Sequence, residues 1–324
     1  MTNGKATEKI LRKRGCHMHT ETFLFSGFGG LKLPAMLWLP ERMPQAILQV
    51  THGMTEHIGR YEAFAQKMTS QGIAVAGYDL RGHGRNAGHA SIASFGEDGW
   101  DASLQDMRLF TQYLAGRFPE IPHHMLGFSL GSFLLREYLA QWPDGLSSAI
   151  IMGTGHQPGF VLSIMMAIVK GQIKKSGFNN TTTLVRQLSF GTYNQKFKPN
   201  RTASDWLCAD TNSLDRYISD PLCRSDISSG LFWQLLGAMK RTGGKDACSA
   251  WRKDMPVLLI SGGSDPVGDM GKGVQAFKKQ LDSTGMKRVS LHLLPGARHI
   301  LLDEYACGAA DKACRIIDEW IRDC

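Results

Sequence analysis

Five short runs of Val, Ile, Leu and Ala, separated by amphipathic stretches, constrain this chain more than any other feature. Residues 46–50, 73–76, 124–126, 149–152 and 257–260 are too short for stable helices and read as buried strands. Between and after them, Leu104, Met107, Phe110 and Leu114 keep helical spacing. So do Val274, Phe277 and Leu281, and near the end Ala313, Ile316, Trp320 and Ile321. Strand and helix in alternation imply an α/β fold, a mostly parallel sheet with helices on both faces. Residues 22–25 and 31–39 read as an antiparallel hairpin that starts the sheet.

The alternation stops between residues 155 and 244. An apolar helical block at 161–169 is followed by Lys170, Lys174 and Lys175, polar loops and a helical segment at 229–239. No buried strand is evident until Val257, so 155–244 reads as a helical cap inserted into a core made of 1–154 and 245–324.

Composition narrows the functional classes. The net charge is +8, but the basic residues are dispersed and no recognition motif accompanies them, which argues against nucleic acid as a partner. A general attraction to anionic membrane surfaces is compatible with it. No uninterrupted apolar run reaches the length that spans a bilayer. Residues 1–16 are basic and lack the apolar stretch of a signal peptide, so the expected location is cytoplasmic. The seven cysteines (16, 208, 223, 248, 307, 314 and 324) are scattered, with no Cys-x-x-Cys pair. That pattern suits reduced thiols and gives neither a disulfide framework nor a metal site by spacing.

Chemistry enters at Gly127-Phe128-Ser129-Leu130-Gly131. In a Gly-x-Ser-x-Gly turn between strand and helix, small flanking residues permit a tight, strained bend that lifts the serine hydroxyl clear of the sheet. Here the strand at 124–126 leads in, and Leu134, Leu135, Tyr138 and Leu139 line one side of the following helix. A serine hydroxyl needs a base to take its proton, and the base needs an orienting acid. Asp265 follows the strand at 257–260, and His299 follows another at 289–294. Both therefore fall at the sheet edge where Ser129 sits. Asp269 and Asp303 are rival acids, and His292, inside a strand, reads as a structural histidine.

The loop after the first buried strand reads His52-Gly53-Met54-Thr55-Glu56-His57. Acyl transfer builds negative charge on the former carbonyl oxygen, which preorganised backbone N–H groups stabilise. Leu130, the residue after the nucleophile, supplies one such donor and Met54 the other. His52 and His57 lack a third metal ligand at suitable spacing, so His52 is expected to brace the loop and no metal is expected. Asp79-Leu80-Arg81-Gly82-His83-Gly84 is assigned structural support, with Asp79 and Arg81 bracing it through charge-assisted hydrogen bonds.

With these segments placed, the chain resembles the monoacylglycerol lipase and lysophospholipase branch of the α/β-hydrolases, of the serine aminopeptidase S33 type. The matching motifs are His52 to His57, Asp79 to Gly84, Gly127 to Gly131, Asp265 and His299. The stretches 189–194 and 205–207 also resemble the cap of bacterial members. The resemblance implies an eight-stranded sheet under a helical cap, a Ser-His-Asp triad and no cofactor. It further implies hydrolysis of carboxylic esters, often of lipids. Phe128, Leu130 and Ser132, and Arg85-Asn86 after Gly84, depart from the common pattern, which weakens transfer of substrate identity.

The expected substrate is a small acyl ester, with lipids among the candidates. An aminopeptidase or amidase of the same fold is the alternative, although the loop lacks the Gly-Gly-Pro run of proline-releasing relatives. A non-catalytic ligand-binding relative is opposed by the full triad. The block 161–169, with Met165 and Met166, leaves three roles open: lining an acyl pocket, touching a membrane transiently, or packing the cap on the core.

Overall fold

The structure, a computed structural model, describes residues 18–87, 92–223, 226–244 and 246–324. The basic segment 1–16, Cys16 included, lies outside the described residues. The chain opens with the hairpin of β1 (Met18–Ser26) and β2 (Lys32–Pro40), then β3 (Ala46–Thr51), α1 (Glu62–Ser70) and β4 (Ile73–Tyr78). A two-residue strand β5 (Ile92–Ala93), α2 (Gly99–Arg117), β6 (His123–Phe128), α3 (Leu130–Gln141) and β7 (Ser148–Met152) follow. Next come α4 (Gly159–Ser176), α5 (Thr183–Arg186), α6 (Thr211–Ser219), the two-residue β8 (Asp226–Ile227) and α7 (Ser229–Thr242). The chain then returns through β9 (Val257–Gly262), α8 (Lys272–Ser283), β10 (Val289–Leu294) and α9 (Ala309–Arg322).

Eight strands form one sheet in the order β1-β2-β4-β3-β6-β7-β9-β10. β2 pairs antiparallel with both its neighbours, and every pairing from β4 to β10 is parallel. Period-2 alternation divides the central strands between two cores. Ile47, Met125, Ile151 and Leu259 join the cluster that holds α2, α3 and α8. Leu48, Leu126, Ile150 and Ile260 join the one that holds α1 and α9. A register slip of one residue would exchange the two sets, so the paired burial fixes the register. β10 is an edge strand and His292 on it is exposed, which corrects the expectation of a structural histidine packed in a strand.

After β3 the chain adds β4 on one side, and later β6, β7, β9 and β10 on the other. The crevice at the carboxyl ends of β3 and β6 is therefore the place where an open α/β sheet offers a site.

Between β7 and β9 the chain leaves the sheet, and among the described residues four α-helices and two further helical turns (Gln187–Gly191 and Tyr193–Phe197) occupy the interval. α4 packs along α7, burying Leu162 and Val169, while Phe160, Ile164 and Ile168 form an outward stripe at 69%, 58% and 39% exposure. The short strand β8, absent from the sequence expectation, pairs parallel with β5 and ties the interval to the core. Among the described residues no helix is long and apolar enough to cross a membrane.

Both ends of the interval are gripped from the core by Arg136 of α3. This fully buried guanidinium donates to Thr154 Oγ1 and the Gly155 carbonyl from one nitrogen, and to the Thr242 carbonyl from another. It also lies 3.7 Å above the Phe277 ring. Burial brings its pKa down to about 10, so it keeps its charge at neutral pH.

Candidate active site

Ser129 sits in the joint between β6 and α3 with φ +50° and ψ −115°, a conformation that costs an L residue about 1–3 kcal/mol. The flanking glycines make room for that joint. A Cβ on Gly127 would lie 2.4 Å from the Gly131 carbonyl oxygen, and one on Gly131 would lie 2.1 Å from that of Thr51. The Ser129 N–H donates to the Met152 carbonyl at 3.0 Å, pinning the joint to β7.

His299 Nε2 lies 2.9 Å from Ser129 Oγ, and its Nδ1 lies 2.9 Å from Asp265 Oδ2. The imidazole is 3% exposed, enclosed by Phe128 and by Trp206 at centroid distances of 4.9 and 5.2 Å. Asp265 is fully buried and also accepts from the Val267 N–H at 2.9 Å and from Ser261 Oγ at 3.2 Å. Three donors thus hold the carboxylate as an acceptor, with one oxygen turned to the imidazole. The rival acids are engaged elsewhere. Asp269 is exposed beside Lys196, and Asp303 pairs with Arg60.

The loop after β3 is braced on several sides. His52 Nε2 accepts the Leu80 N–H at 3.0 Å, which leaves its Nδ1 to donate to the Gly53 carbonyl at 2.7 Å. Burial lowers the His52 pKa to about 4, so the ring is neutral in this role. Glu56 Oε1 accepts the Gly53 N–H at 2.6 Å and the Tyr61 hydroxyl at 2.9 Å. With the Gly53 amide taken, the next amide along is Met54. Among the described residues neither the Met54 nor the Leu130 N–H has an acceptor, and Met54 and Ser129 line the same cleft. Glu56 was not singled out from the sequence as a support, although its place in the His52 to His57 motif was the available signal.

Asp79 and Arg81 both make the charge-assisted hydrogen bonds expected of them, with partners that the sequence reading did not name. Asp79 accepts from the Ile58 N–H and from Arg85 N–H and Nε, whereas Arg81 reaches across to Asp106. Burial alone would raise the Asp79 carboxyl, yet the Arg85 contacts bring it below its usual range.

A cleft of about 620 Å³ lies over Ser129 and His299. Its apolar wall is Phe190, Trp206, Leu207, Tyr217 and Ile218, and its polar rim includes Arg186, Asn194 and Asp226. Trp206 is held by its backbone N–H, which donates to Asn194 Oδ1, and by ring contacts with Phe190 and Tyr193. The sequence named no substrate-binding residue, although 189–194 and 205–207 carry much of this wall. α4 is not part of the lining, so of its three open roles the acyl-pocket one falls away.

Comparison with known proteins agrees with this geometry. A sequence profile of the family described as serine aminopeptidase, S33, matches residues 42–306. A monoacylglycerol lipase of Mycolicibacterium smegmatis is 23% identical over 86% of this chain and 90% of its own length. A human monoglyceride lipase is 26% identical over 82% and 79%. A thermostable carboxyl esterase from Bacillus coagulans, solved with glycerol, superposes with a TM-score of 0.86 at 26% identity. That match covers 94% of this chain and 98% of the esterase.

Proposed function

The chain belongs to the serine aminopeptidase S33 family of α/β-hydrolases, and from that premise we propose how it cleaves esters and which esters it takes. It is a carboxylic ester hydrolase of the lipase and esterase kind. Ser129 attacks the acyl carbon while His299 Nε2 takes the hydroxyl proton. Asp265 keeps the imidazole in the tautomer with the proton on Nδ1 and stabilises the imidazolium. The Met54 and Leu130 N–H groups receive the oxyanion. The imidazolium then protonates the leaving alcohol, and the neutral ring activates water to release the acid. The observation that carries this reading is the Ser129–His299–Asp265 chain of contacts, each 2.9 Å, beside two unclaimed amides.

Residues 155–244 act as the cap, with the 186–226 part facing substrate. The substrate is a long-chain monoacyl ester, such as a monoacylglycerol or lysophospholipid. An apolar wall beside a polar rim suits an aliphatic chain attached to a small hydroxylated head. Phe160, Ile164 and Ile168, with Lys170, Lys174 and Lys175 further along α4, give the cap a face for transient contact with an anionic lipid surface. A fluorophosphonate probe tests the chemistry: it labels the wild type and spares Ser129→Ala, and equal labelling of both would overturn the assignment. On a panel graded by chain length, kcat/KM for long-chain monoacylglycerols exceeds that for acetyl and butyryl esters; the reverse order refutes the substrate class.

A further inference from the structure

His57, the second histidine of the β3 loop, meets Asp220 and Cys223, more than 160 residues further along the chain. Its Nε2 lies 2.8 Å from Asp220 Oδ2, and Cys223 Sγ joins them so that all three ligand-type atoms lie within 4.8 Å of one another. A third and a fourth feature make this more than a hydrogen bond. The His57 side chain is nine-tenths buried and packed against Gly59 and Gly84: a Cβ on Gly59 would come within 3.0 Å of the imidazole, and one on Gly84 within 2.6 Å of the His57 Cβ. Without a metal, the Nε2–H donates to Asp220 Oδ2, and the buried Nδ1 has no partner among the described residues, so no hydrogen bond opposes moving the proton to Nδ1 when a cation takes Nε2. Asp220 is oriented by the Leu222 N–H, which donates to Oδ1 at 2.8 Å and leaves Oδ2 turned to the imidazole.

The local charge balance suits a cation. Arg60 stands beside Cys223, but it is already paired with Glu56 and Asp303, so Asp220 remains as negative charge. One nitrogen, one thiolate and one carboxylate form the mixed set that borderline-soft divalent ions select. In a tetrahedral zinc site, bonds of about 2.0–2.3 Å put neighbouring ligand atoms roughly 3.3–3.8 Å apart. The pair at 2.8 Å must open and the widest gap must close, each by about an ångström, within side-chain reach.

We propose that His57, Asp220 and Cys223 bind one divalent transition-metal ion of the zinc class, clamping the cap to the loop that carries Met54. On binding, the Cys223 thiol loses its proton to solvent and the His57 proton resides on Nδ1, so that S⁻, Nε2 and Oδ2 each donate a pair. Cys223 lines the cleft, from which water would complete the coordination. The site is separate from Ser129 chemistry and does not depend on the substrate proposed above.

Cobalt(II) alone is the probe, titrated into the full-length chain after chelation. One ion binds per chain, with a thiolate-to-cobalt charge-transfer band and the intense visible bands of four-coordination, and zinc displaces it. Cys223→Ser abolishes the charge-transfer band and weakens binding about 100-fold or more, while Asp220→Asn weakens it but keeps the band. Melting curves verify that each variant folds; if Cys223→Ser does not, Asp220→Asn decides alone, and unchanged affinity there overturns the site. Absence of saturable binding to the wild type, or a charge-transfer band that survives Cys223→Ser, also overturns it.

Discussion

The floor and the roof of the cleft are built on different principles. The floor is a set of strand ends: Ser129 after β6, Asp265 after β9, His299 after β10 and Met54 after β3. Ser129, Asp265 and His299 are held by backbone hydrogen bonds, and the loop of Met54 is braced by the buried His52 and Glu56 side chains. The roof, residues 186–223, consists of short helices and turns whose position depends on contacts to side chains, such as that of the Trp206 backbone N–H to Asn194 Oδ1. Under the proposed function the floor sets the reaction and the roof sets what is accepted.

Four substitutions test that division, in descending order of effect. Asp265→Asn removes the acceptor at His299 Nδ1 and lowers kcat by about 10⁴-fold with the fold intact. A loss under tenfold in steady-state assays would mean that the floor is not organised as described. Arg136→Met acts at the joint between floor and roof. It leaves the Gly155 and Thr242 carbonyls without their donor, and chemical denaturation is expected to show a loss of about 3 kcal/mol. Unchanged stability would make the joint dispensable.

Ile218→Ser changes the roof alone and lowers kcat/KM for long-chain esters about tenfold, with a smaller change for acetyl esters. An equal loss across chain lengths would place Ile218 outside the acyl contact. Ile164→Asp, on the outward side, weakens cosedimentation with anionic vesicles several-fold and leaves turnover of soluble short esters within twofold. A change in soluble-ester turnover instead would show that the outward stripe and the cleft are coupled.

The same contrast explains what could be read from the sequence. Strand ends announce themselves because apolar runs are periodic and because a positive φ at Ser129 demands small neighbours. The order serine, acid, histidine, each after a strand, then brought Ser129, Asp265 and His299 to one edge of the sheet, while Met54 was read from its loop motif. The roof carried no such periodicity, and its polar contacts join residues whose pairing no spacing rule predicts. Arg136 lies in a helix whose apolar side was legible, but an arginine there reads as solvent-facing until the interior is known to hold carbonyls for it. The partners of Asp79 and Arg81 were not legible for a related reason: in an irregular loop no spacing rule turns Arg85 toward Asp79 or sends Arg81 to Asp106 on α2.

Arg136 has a consequence for how such chains diversify. One guanidinium holds residues 155 and 242 at a single point, so everything strung between them behaves as a closed loop with fixed ends. For a loop of that kind the entropy of closure grows only logarithmically, and doubling its length adds about 0.6 kcal/mol. Lineages can therefore lengthen, shorten or exchange the intervening segment at small thermodynamic cost, provided that both knotted ends still offer their carbonyl oxygens to the same arginine.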